Sequence, residues 1–146
     1  NQILWLFGRE HQIAEVGAMN IFFVIKDAQT GEKELVTPTL AGGDILPGVT
    51  RDSILEIARQ WPNIKVSERV IKMGEIVAAS KEGRLLEAFG AGTAAVISPV
   101  KGIVYNGEEI NVPTGENVGE IAQQLWNTLT GIQYGKLPHP WSVKVQ

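Results

Sequence analysis

Cysteine is missing altogether, and with it go disulfides, thiolate metal sites and cysteine nucleophiles. Histidine is scarce: His11 and His139 lie far apart, and no His/Asp/Glu spacing suits a metal. His11 reads as a loop residue rather than a general base. Ser53, Ser67, Ser80, Ser98 and Ser142 lack the context of a nucleophile elbow. The formal net charge is only −3 and no five like charges run together. Without clustered Lys and Arg to meet a phosphate backbone, nucleic acid is not an expected partner. Apolar stretches such as Ile21–Ile25 fall far short of the ~20 residues a membrane span needs, so no membrane is expected either. Internal repeats and low-complexity segments are also absent. So is an initiating Met: the chain opens on Asn1-Gln2, enters "ILWLF" at once and is expected to be a piece of a longer protein.

What remains is an ordinary globular composition, with 146 residues of which 44% are hydrophobic and 20% charged. One domain over residues 1–146 is expected, with enough apolar matter for a real core. Ile3–Phe7 and Ile21–Ile25 read as strands. Asp27–Pro38 reads as a hairpin turning at Thr30-Gly31 and returning over Glu34–Thr37. In "DILPGVTRDSILEIARQWP" the period changes: Pro47-Gly48 turns, Thr50 is the predicted N-cap, Ile54, Leu55, Ala58 and Trp61 recur at helical spacing, and Pro62 ends the helix. Ile64–Met73 alternates like a strand, and a second helix over Gly74–Lys81 closes at Gly83. Leu85–Phe89 and Ala94–Ser98 read as strands on either side of a glycine turn. Asn106-Gly107 is a strong hairpin signal. Thr114 is the predicted cap of a helix whose Val118, Ile121, Ala122, Leu125, Leu129 and Ile132 share one face. Trp5, Trp61, Trp126 and Trp141 read as core or interface aromatics. The order predicts a mixed α and β domain whose sheet curls.

Three places set unusual residues at element ends. In "HQIAEVGAMN", Glu15 precedes a strong apolar strand; it reads either as a solvated acid or as a partly buried one kept charged by a cationic partner. In "ILPGVTRDS", a tight turn runs into a helix start, where free N–H groups and the helix dipole make a ready anion site, as at any such start. Arg51 beside it reads as an assistant or as a solvated side chain. In "EAFGAGTAAVISPV", Gly90, Gly92 and Thr93 form either a backbone cup of N–H groups or a plain strand connection.

Taken in order, "EVGAMN", "LPGVTRDS", "EAFGAGTAAVISPV" and "IQYG" resemble the C-terminal half of branched-chain amino-acid aminotransferases, pyridoxal-phosphate enzymes of the fold-type IV class. "ILWLFG", "KELVTP" and "LLEAFG" point toward eukaryotic, particularly fungal, members. The resemblance covers nearly the whole chain. It implies an α+β fold, a curled mixed sheet or pseudo-barrel flanked by helices, forming the large C-terminal, cofactor-binding domain. It implies pyridoxal 5'-phosphate as cofactor, transfer of the amino group of leucine, isoleucine or valine to 2-oxoglutarate, and a homodimer.

Residue by residue, Glu15 matches the family acid that pairs with the pyridinium nitrogen. Gly48, Val49 and Thr50 match the turn whose N–H groups hold the phosphate, and Thr93 matches a threonine that also contacts it. Gly92, Thr93 and Ala94 match the cup for the substrate carboxylate. Ala18 stands near the substrate where the family usually has Thr, which puts that contact in doubt. Ala95 and Ser98 stand where mammalian members carry a Cys-x-x-Cys pair, so no thiol switch of that kind is expected. The family's Schiff-base lysine lies upstream of "ILWLFG", and none of the eight lysines here stands in its context. This polypeptide alone is therefore expected to be inactive without its N-terminal segment. Alternatives are an inactive binding or assembly module, or another fold-type IV enzyme such as a D-amino-acid aminotransferase or an aminodeoxychorismate lyase. Cytoplasm and mitochondrion are not separated by the sequence.

Overall fold

In a computed structural model, residues 4–7, 12–16, 19–40, 48–92, 97–113 and 119–133 are described. The strands among them are β1 (Leu4–Phe7), β2 (Gln12–Val16), β3 (Met19–Lys26), β4 (Lys33–Pro38), β5 (Ile64–Arg69), β6 (Leu85–Ala91), β7 (Ile97–Pro99), β8 (Gly102–Tyr105) and β9 (Glu108–Asn111). The helices are α1 (Val49–Ala58), α2 (Met73–Lys81) and α3 (Glu120–Gln133).

β3 is the spine. Its sequence, Met-Asn-Ile-Phe-Phe-Val-Ile-Lys, is apolar at consecutive positions because both faces are covered. Ile21, Phe23 and Ile25 face a core shared with Ile71, Met73 and Ile76 of the α2 region and with Ile103 and Ile110 of the β8–β9 hairpin. Phe22 and Val24 face the other way, onto Ile54, Leu55 and Ala58 of α1 and Ile121, Ala122, Leu125 and Leu129 of α3. Three layers result, helix or hairpin on each side of one sheet.

Along one edge of β3 runs β6, antiparallel, from Asn20↔Ala91 to Ile25↔Leu85. A strand has only two edges, so β2 and β4 must share the other end to end. β2 pairs with Met19 and Asn20, and β4 pairs with residues Phe23 to Lys26. The sheet therefore forks at Ile21, where the ladder passes from β2 to β4. There the Thr37 hydroxyl donates to the Ile21 carbonyl oxygen at 2.7 Å, filling a bond the ladder leaves open. β1 extends one prong through β2, β5 extends the other as a parallel neighbour of β4, and β7 extends β6. The mixed α+β architecture is the expected one, but the sheet stays open: among the described residues no pairing closes it into a barrel.

Both hairpins turn where expected. Asn106 and Gly107 have φ of +51° and +78°, the left-handed pair a two-residue turn demands. Gly31, at φ +74°, ends the turn opened by Asp27, whose carboxylate accepts from the N–H groups of Gln29 and Thr30.

Three expectations are corrected. Gly48, not Thr50, caps α1: Gly48 is extended (φ −80°, ψ 140°), and Thr50 lies inside the helix with a buried side chain. α1 ends at Ala58, and Gln60 and Trp61 continue it only through tighter bonds to Ile57 and Ala58. α3 begins at Glu120, so Thr114, which with Val118 lies outside the described residues, is not its cap. The cap comes from across the fold. The buried Glu87 carboxylate of β6 accepts from the N–H groups of Ile121 (2.9 Å) and Ala122 (3.1 Å). Gly119 makes room, since a Cβ there would overlap that carboxylate. Glu87→Gln, which turns one acceptor toward a buried N–H into a donor, is expected to cost about 1–3 kcal/mol in urea unfolding.

Candidate functional site

The end of β3 nearest the fork carries Asn20, a polar residue on the strand, and it is only 7% exposed. Its register partner on one edge is Glu15 of β2. On the other edge it is Ala91 of β6, after which the chain runs into Gly92. The helix start completes the group. At Gly48 the Asn20 carboxamide occupies the space a Cβ would need, with Arg51 Cβ 3.7 Å from the same point. One residue thus gathers segments that are 28 and 71 positions away along the chain.

α1 arrives at this point behind a glycine N-cap. Gly48 has no side chain of its own to bond the first turn, and the first internal bond runs from the Asp52 N–H to the Gly48 carbonyl at 3.1 Å. The N–H groups of residues 49, 50 and 51 therefore have no acceptor within the helix. Val49 is 83% exposed and Thr50 8%. The N-cap of α2, Lys72, makes no side-chain cap bond either, whereas the start of α3 is met by Glu87; α1 is the helix whose start adjoins Asn20. The arrangement suits an anion: N–H donors at the positive end of a helix dipole.

Arg51 departs from one of its two sequence readings. It is 1% exposed, not solvated. Its Nη2 donates to the Pro38 carbonyl oxygen at 3.0 Å, and its Nη1 donates to Glu68 Oε1 at 3.3 Å and Asp52 Oδ1 at 3.5 Å. Its charge ties the first turn of α1 to the ends of β4 and β5. A charged residue in a first turn gives no sequence signal of this, because its partners are distant in sequence. Asn20 was legible only as the last letter of "EVGAMN"; its signal is a polar residue opening an otherwise apolar strand.

Glu15 is not simply ahead of the apolar strand but within β2, opposite Trp5 on one side and Asn20 on the other. The structure thus brings the backbones of Glu15, Gly48 and Gly92 around Asn20, with Val49 and Thr50 next in the helix. Ala18, Thr93 and Ala94, like His11 and His139, lie outside the described residues.

A cavity of about 620 Å³ lies at the far end of β3, lined by Lys26, Asp27, Glu34, Lys65, Arg69 and Arg84 among others. Its charges serve one another. Arg69 bonds Glu34 (3.1 Å) and Glu75 (2.5 Å). Burial alone would raise the Glu34 carboxyl, but hydrogen bonds from Arg69 and Ser67 and the nearby Arg69 and Lys65 charges outweigh it and hold it below its ordinary value. This network pins α2 to the sheet.

Comparison with known proteins bears on the fork end. A family model described as amino-transferase class IV matches residues 1–103. The branched-chain-amino-acid aminotransferase of Monosiga brevicollis is 51% identical over 142 residues, which cover 97% of this chain and 36% of that protein. The cytosolic branched-chain-amino-acid aminotransferase of Saccharomyces cerevisiae is 51% identical over 150 residues, 97% of this chain and 39% of that one. A mitochondrial relative from Rattus norvegicus is 46% identical over 144 residues, 99% of this chain and 36% of that protein, so both compartments occur among such proteins. Among solved structures, the branched-chain amino acid aminotransferase from Escherichia coli superimposes with a TM-score of 0.69 at 28% identity, over 96% of this chain and 41% of that one. The chain spans little more than a third of the length of the curated relatives it matches.

Proposed function

This chain belongs to the amino-transferase class IV family, and from that premise we propose that it is the pyridoxal-phosphate-binding part of a branched-chain-amino-acid transaminase. The reaction is transfer of the amino group of leucine, isoleucine or valine to 2-oxoglutarate. The observation that carries the reading is the glycine-capped start of α1 packed on Asn20, itself the register partner of Glu15 and Ala91. A phosphate ester needs N–H donors and a favourable dipole, and a helix start supplies both.

When bound, the cofactor supplies an electron sink for the pair left as the substrate loses its α-proton. The chain's own residues do the rest. The N–H groups of Val49 and Thr50 would hold the phosphate, with Gly48 turning the chain into the helix ahead of them and Thr93 adding a hydroxyl. Glu15 keeps a proton on the ring nitrogen, because a carboxylate beside a protonated base favours the charged form. Gly92, Thr93 and Ala94 offer backbone donors to the substrate carboxylate, and Ala18 lines the substrate side without a hydroxyl. The amine that moves the α-proton comes from a segment outside this chain. The working assembly is a homodimer, as the resemblance implies.

The test is direct. The full-length protein, given pyridoxal phosphate, leucine and 2-oxoglutarate, is expected to yield glutamate and the matching 2-oxo acid. This chain alone is expected to yield neither, and borohydride is expected to trap no adduct on its eight lysines. Inactivity of the cofactor-supplied full-length protein toward all three amino acids would overturn the reading. Transamination by this chain alone would overturn the assignment of the amine.

A further inference from the structure

We propose that Asn20 is a positioning residue, whose carboxamide sets the start of α1 against β3 so that phosphate donors, acid and substrate cup keep one spacing. The inference rests on the functional reading above and adds a residue that contacts none of the reacting atoms.

The packing argument has two parts. First, Asn20 is held from both edges: Glu15 faces it across one ladder and Ala91 across the other. Its Cα is therefore fixed relative to the acid and to the strand leading into Gly92. Second, its side chain fills the volume beside Gly48, so the helix can come no closer and a side chain at 48 cannot be fitted. Side chains alternate across a strand, and Asn20 has the parity of Phe22 and Val24, the face that carries α1. Shortening residue 20 opens a gap under the helix start; charging it places an anion beside the first N–H groups of α1. A carboxylate there would serve α1 as Glu87 serves α3, in competition with a phosphate.

Two sets of variants of the full-length protein test this, read by equilibrium dialysis of pyridoxal phosphate and by the apo melting temperature. Asn20→Asp keeps the shape and adds a titratable group. At pH 8 its Kd for the cofactor is expected to exceed wild type by about tenfold or more. That ratio is expected to fall toward one as pH is lowered through the carboxyl's titration. A residue with a purely structural role would shift the melting temperature without that pH-dependent ratio. In the second set, Gly48→Ala is expected to weaken cofactor binding in the wild-type background and to have little effect in an Asn20→Ala background, where the space is vacated. A Kd ratio for Asn20→Asp that stays at one across pH, or an equal effect of Gly48→Ala in both backgrounds, overturns the proposal while leaving the functional reading intact. Failure of the wild-type full-length protein to retain pyridoxal phosphate overturns the functional reading, and the positioning role with it.

Discussion

Glu15→Gln in the full-length protein is expected to lower kcat for leucine by about a hundredfold or more, with the cofactor's Kd changed far less. Gln keeps the size and a hydrogen-bonding group but cannot stabilise a proton on the ring nitrogen. The loss therefore falls on the step in which negative charge develops, not on retention of the cofactor. Removing one preorganised electrostatic partner of that kind costs about 10²–10³ in rate. Single-turnover kinetics with leucine, paired with dialysis of the cofactor, separates the two effects. A kcat near wild type would remove Glu15 from the site. The expectation is specific to this position because Glu15 is the acid that β2 sets opposite Asn20; Glu87, the buried carboxylate of β6, is already occupied by two N–H groups of α3.

The second large effect concerns the core behind the site. Phe22 of β3 and Phe89 of β6 are register partners, fully buried, with ring centroids 5.3 Å apart and planes 6° from parallel. Phe89→Ala is expected to destabilise the protein by about 3–5 kcal/mol, since it loses the transferred apolar surface, leaves a cavity between the sheet and the helices packed on it and abolishes the ring pair. Phe89→Leu, which fills most of the volume, is expected to cost about 1–2 kcal/mol. Urea unfolding of both variants measures the difference, and equal losses would mean that backbone rearrangement rather than packing sets the cost.

Local chemistry explains which elements could be read beforehand. Asn106-Gly107 and Gly31 announce turns because few other residues take their φ values. β3 announces itself by unbroken apolar, β-branched and aromatic residues. β2 does not: Gln-Ile-Ala-Glu-Val carries little alternation, and it is a strand because β1 and β3 offer it a ladder on each edge. The start of α3 was misplaced for a similar reason, since its cap, Glu87, lies more than 30 residues upstream of the amides it meets. Nothing local told an assisting Arg51 from a solvated one, because Pro38 and Glu68, its partners, are distant in sequence. The site shows the same division. Its segments were legible as motifs at element ends, but their meeting at Asn20 depends on the fork, which no window of sequence displays. Ala18, Thr93 and Ala94 fall outside the described residues and keep the roles proposed for them from the resemblance alone.

A branched ladder also governs where this molecule can tolerate change. The tip between Asp27 and Glu32 lies at the opposite end of β3 from Asn20, so its length can drift without disturbing the candidate site. The joint between β2 and β3 has no such latitude. Sliding β2 by one residue would exchange the partner of Glu15 and turn its side chain to the opposite face of the sheet. Divergence among descendants of this chain should therefore accumulate at that hairpin tip and spare the crotch of the sheet.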